Sequence, residues 1–372
     1  MHELSPRSPL LRLSGRWTAP SSVDAITAFW SGSSVSFLFQ GSKLQLRTGP
    51  STVRKDRFNG GTPMIACAVE STSNSSISTY DAQGTDTITL IDEEFLSNHG
   101  TGPYAVHVTL IDWASVLEIE AFLVSSDHDI LATPPARPSL NVLVIGDSIS
   151  CGWTDVLQSI PLGCLNALPF VLKRNILQNK GIDIHVDLIA YPGMTLVDPT
   201  EDERDEGAML GMVSKFFHTS PWSTEIAEAP DNRDGPKILL IALGTNDEAQ
   251  DVSPTRFTEA MRTLLVKLLH LYDQKVQHIC LIPPFPDIDD SDSGEDSESI
   301  IQSFSSIVSA LRQEPDLMAA GVVIHEMRLD AELQHDHLLD GLHPNVAGYE
   351  LLGAALSKRM APLLQSCVTE TK

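Results

Sequence analysis

A serine hydroxyl is a weak nucleophile until a base stands within hydrogen-bond reach to take its proton. Ser148 is placed for such help. It lies in Val142-Leu-Val-Ile-Gly-Asp-Ser-Ile-Ser-Cys-Gly152, where an apolar run ends in a glycine-containing turn. The base candidate is far along the chain, in Leu339-Asp-Gly-Leu-His-Pro-Asn345. Pro344 suits the first position of a following helix, which would put His343 at a helix entrance with its ring free. Asp340, three residues earlier, is able to fold back and orient one ring nitrogen. Ser148 as nucleophile, His343 as general base and Asp340 as the carboxylate that stabilises the imidazolium would form a triad for acyl transfer chemistry.

Other chemistries fit these residues less well. The segment lacks the second glycine of a G-x-S-x-G elbow, and no G-x-G-x-x-G or G-K-[ST] follows the strand to hold a nucleotide. His335 and His337 lie close in sequence to Asp340 and His343, but a spacing of two does not share a helical face and no H-E-x-x-H pattern is present. No metal and no cofactor are expected. Asp147 and Asp247 read as turn carboxylates that accept backbone N–H bonds. Trp153, Met194 and Trp222 are candidates for a pocket wall as much as for core.

The elements needed to hold Ser148 and His343 together are those of a parallel sheet. Apolar runs at Val142–Ile145, Val186–Ile189, Ile238–Leu243 and Ile279–Ile282 alternate with segments of helical period at Phe257–Tyr272, Ile300–Leu311 and Val346–Met360. That is the pattern of a sheet covered on both faces, whose working groups leave the carboxyl ends of its strands. Residues before about Ala132 behave differently. Short segments such as Ser34–Gln40, Lys43–Thr48, Thr87–Ile91 and Tyr104–Leu110 alternate apolar with polar side chains, as an all-β sandwich requires. Prolines 134, 135 and 138 mark an extended join. The expected division is a β-sandwich over residues 1–133, a linker over 134–139 and a catalytic α/β domain over 140–372.

Four ordered blocks resemble one superfamily. Gly146-Asp-Ser-Ile149, Gly193, Gly244-Thr-Asn-Asp247 and Asp340-Gly-Leu-His343 are similar to the blocks of the SGNH (GDSL-type) esterases and lipases. The second block reads Ala190-Tyr-Pro-Gly-Met-Thr195 here. The resemblance implies a flavodoxin-like α/β/α fold and ester hydrolysis through an acyl-enzyme on Ser148. It also implies an oxyanion hole made by the N–H groups of Ser148 and Gly193 and the side-chain amide of Asn246. Donors fixed where negative charge develops contribute on the order of 10²- to 10³-fold each. A jelly-roll sandwich ahead of such a domain, with Gly15-Arg-Trp17 near its start and a Trp30–Gly41 strand unit, is similar to the carbohydrate esterase family two acetyl esterases. Many of those vary the triad acid, whereas Asp340 is present here.

Composition narrows the partners. Lys plus Arg is 25 against 49 Asp plus Glu, a net charge of −24 over 372 residues, which disfavours nucleic acid and anionic membrane surfaces. Much of the acidity sits in Glu201–Glu206 and in Asp287–Glu298, read as solvated surface loops. The 5 cysteines are odd in number and widely spaced, and no export signal is visible at the start, so a cytoplasmic location is expected. The expected function is a serine esterase removing an acetyl or other short acyl group from a sugar or small hydroxylated metabolite. Two alternatives stand beside it: an acyltransferase with a non-water acceptor, and a carbohydrate-binding protein with a weakly active esterase domain. No protein partner can be named.

Overall fold

The computed structural model describes residues 1–19, 24–55, 61–71, 75–131, 140–154, 160–205, 207–228, 235–273, 275–288 and 299–369. The expected linker 134–139 lies outside the described residues, as do Glu206 and all but the first two residues of the acidic run 287–298. The chain divides into two units, Met1–Arg137 with Thr154–Cys164, and Pro138–Trp153 with Leu165–Lys372.

The first unit is the expected β-sandwich. Its antiparallel strands form a seven-stranded and a five-stranded sheet. Alternation turns Val35, Phe37 and Phe39 of one sheet and Leu44, Leu46 and Phe122 of the other into a shared core. Phe37 and Phe122 meet edge to face with ring centroids 4.9 Å apart, a preferred aromatic geometry. The segment Thr154–Cys164 joins this unit although it follows the Ser148 turn directly. Cys164 N–H donates to the Ile111 carbonyl at 3.0 Å and the Thr62 hydroxyl donates to the Ile160 carbonyl at 3.3 Å. The sequence division into 1–133 and 140–372 does not contain this excursion.

The second unit is built on five parallel strands, β1 (Leu140–Gly146), β2 (Ile184–Ala190), β3 (Ile238–Ala242), β4 (His278–Ile282) and β5 (Val323–Glu326). Their order is β2-β1-β3-β4-β5. This is the flavodoxin-like order, with its switch point between β1 and β3. Among its described helices are α1 (Ser148–Cys151), α2 (Leu168–Lys180), α3 (Thr245–Ala249), α4 (Pro254–Leu271), α5 (Ile300–Leu311) and α6 (Val346–Thr369). Every residue of β3 is buried, as a central strand covered on both faces must be. No described helix is long and apolar enough to cross a membrane.

One local expectation fails. Pro344 does not open a helix: α6 begins at Val346, and Pro344 instead forms an isolated antiparallel bridge with Leu338. Asn345 takes the capping role, its side-chain oxygen accepting the Gly348 N–H at 3.1 Å. His343 is therefore carried by a loop before the helix, closed by the Leu339 N–H donating to its carbonyl at 2.7 Å.

Candidate active site

Sheet register brings three of the four blocks to one edge. Gly146 at the end of β1 pairs with Ala190 of β2 and with Ala242 of β3. Ser148, Gly193 and Asn246 therefore leave three adjacent strands at the same level, where a doubly wound sheet presents its ligands. Asp147 caps α1 by accepting the Ile149 N–H at 3.1 Å, so Ser148 occupies the first helical position. Gly146 is required by close approach, because a Cβ there would lie 2.0 Å from the Ser150 hydroxyl oxygen.

The distant base reaches the same edge. Ser148 Oγ lies 2.9 Å from His343 Nε2, and His343 Nδ1 lies 2.8 Å from Asp340 Oδ2. With Nδ1–H donating to the carboxylate, Nε2 is left to accept the serine proton. Asp340 does more than face the ring, since its Oδ1 also accepts the His343 N–H at 2.8 Å and the Leu342 N–H at 3.2 Å. Burial alone would raise this carboxyl's pKa; the bonds from the His343 backbone and ring, the imidazolium charge and the Leu342 N–H outweigh it and hold the group below its ordinary value. The carboxylate therefore stays ionised where it can stabilise a charged imidazole.

Trp153 adds a partner that sequence reading had only as a possible wall. Its indole ring covers the His343 imidazole, with centroids 4.1 Å apart and planes at 39°. No sequence signal links these residues, because they meet only through the fold. A second aromatic pair is Tyr191 and Trp222, with centroids 5.6 Å apart and the indole N–H donating to the tyrosine hydroxyl at 3.2 Å.

The candidate oxyanion donors have defined settings. Tyr191-Pro-Gly-Met194 is a turn closed by the Met194 N–H donating to the Tyr191 carbonyl at 3.3 Å. Proline at its second position and Gly193 at its third, with φ of 72°, match a type II turn, where the third residue must enter the left-handed region. Space is not what demands glycine, for an added Cβ would meet nothing within 4 Å. Asn246 lies on α3, and its amide donates one proton to the Met194 carbonyl at 3.1 Å, which orients the group and leaves its second proton for another acceptor. Asp247 reads as a turn carboxylate from sequence, but its oxygens accept the N–H groups of Leu196 and Val197 in the loop after β2.

Two carboxyls near Ser148 are unusual. Burial pushes Asp147 up to about 7, with the Asp247 charge adding to it against the Ile149 N–H bond. Burial likewise pushes Asp247 up to about 6, against the Leu196 and Val197 N–H bonds. His335 and His337 serve the loop: the His335 carbonyl accepts the Leu338 N–H at 3.2 Å, Asn345 N–H donates to the His337 carbonyl at 3.0 Å, and His337 Nδ1 accepts the Gln334 N–H at 3.2 Å. Among the described residues no three His, Cys, Asp or Glu side chains group so as to hold a metal ion.

Several solved structures share the whole architecture. A family two carbohydrate esterase from Cellvibrio japonicus matches with a TM-score of 0.71 and 17% identity over 100% of this chain and 99% of that one. An acetyl xylan esterase from the rumen bacterium Butyrivibrio proteoclasticus matches at 0.67 and 15% identity over 98% of both chains. A salicylyl-acyltransferase from a tetracycline biosynthetic pathway matches at 0.60 and 13% identity over 97% of both. At these identities the likeness is one of fold. No curated protein sequence matches the chain. Residues 144–351 match the GDSL-like lipase/acylhydrolase family, a span that runs from β1 through the Asp340–His343 turn into α6. With more than half of its length in that match, the chain belongs to the GDSL-like lipase/acylhydrolase family and is a carboxylic ester hydrolase by fold and family.

Proposed function

We propose that the protein is a serine esterase that removes an acetyl or other short acyl group from a sugar or a small hydroxylated metabolite. The observation that carries the reading is the continuous chain Ser148 Oγ, His343 Nε2, His343 Nδ1, Asp340 Oδ2, with steps of 2.9 and 2.8 Å. Ser148 Oγ attacks the ester carbonyl carbon while His343 takes its proton, and the oxyanion is held by the N–H groups of Ser148 and Gly193 and the Asn246 amide. The C–O bond breaks as His343 protonates the leaving alcohol. Water then attacks the acyl-enzyme with His343 again as base, releasing the acid and restoring Ser148. Trp153, its ring tilted at 39° over the imidazole, faces the group that carries the proton in both transfers.

The sugar and acetyl parts of the reading draw on likeness to structures described as a carbohydrate esterase and an acetyl xylan esterase. Tyr191, which follows β2 directly and lies two residues before Gly193, packs edge to face with Trp222, and the pair offers ring surface for a pyranose ring or acyl group. Five buried thiols suit a reducing compartment, which keeps a cytoplasmic location as part of the proposal. The test is labelling with a fluorophosphonate probe, followed by peptide mass spectrometry of wild type and Ser148→Ala. An adduct on Ser148 in the wild type alone is expected; folded wild type without one would overturn the nucleophile. A series of 4-nitrophenyl esters should then show highest kcat/KM at acetyl or propionyl, and a preference for long chains would remove the short-acyl reading.

Acyl transfer is the second reading, because a salicylyl-acyltransferase shares the fold over 97% of both chains. Product analysis with added alcohols separates the two: an enzyme that delivers most of its acyl groups to an alcohol at millimolar concentration is a transferase.

A further inference from the structure

Asn246 and Asp247 are consecutive residues of α3, and both reach the loop that follows β2, yet only the first has a role in the chemistry above. Asp247 is 0% exposed. Its Oδ2 accepts the Leu196 N–H at 2.8 Å and its Oδ1 the Val197 N–H at 3.0 Å. The loop is thus tied to one short helix at Met194, Leu196 and Val197, immediately after the turn that carries Gly193. A buried carboxylate is an expensive way to fill space, and an apolar side chain would serve better if packing were the only need. What the charge supplies is a pair of charge-assisted bonds to adjacent backbone N–H groups, which fix the loop in direction as well as position.

We infer that Asp247 is a positioning residue for the oxyanion site, locking the Gly193–Val197 loop so that the Gly193 N–H and the Asn246 amide stay aimed at one point. The inference rests on the assignment of those two groups as oxyanion donors. Asp247 acts through backbone and touches no substrate. The loop has other anchors, since Met212 N–H donates to the Thr195 carbonyl at 2.8 Å and Val213 N–H to the Leu196 carbonyl at 3.1 Å. Loss of Asp247 therefore loosens the aim of the donors while leaving the loop in place.

The test compares Asp247→Asn with wild type and with Asn246→Ala. The asparagine keeps the shape but turns one acceptor into an N–H2 group facing a backbone N–H. Three quantities are read with the intact protein: kcat and KM on 4-nitrophenyl acetate, Ki for a methyl trifluoromethyl ketone that forms a tetrahedral adduct on the serine, and Ki for acetamide as a ground-state mimic. For Asp247→Asn, kcat should fall about 10- to 100-fold and the ketone Ki rise by a similar factor, with acetamide Ki within about twofold. Unchanged ketone affinity, or equal weakening of ketone and acetamide as general damage would cause, overturns the inference. If Asn246→Ala keeps wild-type kcat and ketone affinity, the oxyanion assignment itself fails. If Asn246→Ala loses both and Asp247→Asn loses neither, the positioning role alone falls. Should Asp247→Asn not fold, an amide-to-ester replacement at Val197 deletes the N–H that Oδ1 accepts without touching a side chain, and the same ratio of the two Ki values decides.

Discussion

At the residue scale, the Asp340 carboxylate does two jobs that are easily confused. It closes its own turn by accepting the Leu342 and His343 N–H groups, and it holds the His343 ring by Nδ1. Asp340→Asn keeps an acceptor for the turn but loses the charge, so kcat should fall on the order of 10³- to 10⁴-fold with little change in Tm. Asp340→Ala should lose both, and steady-state kinetics beside thermal melts of the two variants check the split. The Trp153 face over His343 calls for a smaller effect. Trp153→Phe retains a ring and should lose less than about threefold in kcat, while Trp153→Ala should lose about three- to tenfold, the size of a partly exposed cation–π contact.

At the element scale, the Tyr191–Met194 turn is where backbone and chemistry meet. Gly193→Ala has room for its methyl group but must hold a φ of 72°, which costs an alanine about 1 kcal/mol. A shift of a few degrees in Tm is expected, with a drop in kcat larger than that destabilisation explains; a calorimetric melt and an esterase assay on one preparation test it. Element by element, sequence reading goes far where the hydrophobic pattern is strong. The runs Val142–Ile145 and Ile279–Ile282 fall inside β1 and β4, and Ile300–Leu311 is α5 as expected. It fails where tertiary context decides. Strand Ser75–Tyr80 is polar and largely exposed at a sheet edge, so it carries no alternation to read. Helix α6 was expected to stop at Met360 but runs through Pro362 to Thr369. The bond that the proline lacks would have ended on the carbonyl of exposed Lys358, where water can replace it, and burial of Leu364 and Cys367 continues the helix. The blocks bearing Ser148, Gly193, Asn246 and His343 were legible as local motifs. The Trp153 contact with His343 and the reach of Asp247 to another loop were not, because both exist only after the sheet has aligned its strand ends.

At the scale of the whole molecule, the two raised carboxyls near Ser148 bear on stability. Asp147 sits at about 7 in the folded protein and near 3.9 when unfolded, so between those values the native state holds a proton that the unfolded chain has lost. Stability must therefore fall as pH rises through that window and be fully present below it. Melts from pH 5 to 8 should show Tm decreasing with pH, and Asp147→Asn, which keeps a capping oxygen, should flatten the slope; an unchanged slope would pass the effect to Asp247, pushed up to about 6, or to general repulsion within a chain of net charge −24. The sandwich should also matter for the enzyme's integrity. A version that starts at residue 140 keeps Ser148, His343 and Asp340 but strands Thr154–Cys164 without the Ile111 and Thr62 partners that hold it. Expression of that version should give aggregated or inactive protein, measured by size-exclusion chromatography and esterase assay.

The same excursion has a consequence for the order in which the protein is made. The sandwich strands through Val124 leave the ribosome before Thr154–Cys164 does, so the surface that receives this segment can be folded by the time it emerges. Ser148 lies just upstream of that stretch, while His343 is made 195 residues after Ser148. Reversing the gene order of the two parts, or joining the catalytic part to a different leading module, would remove that sequence of events, so this enzyme is a poor candidate for exchange of modules.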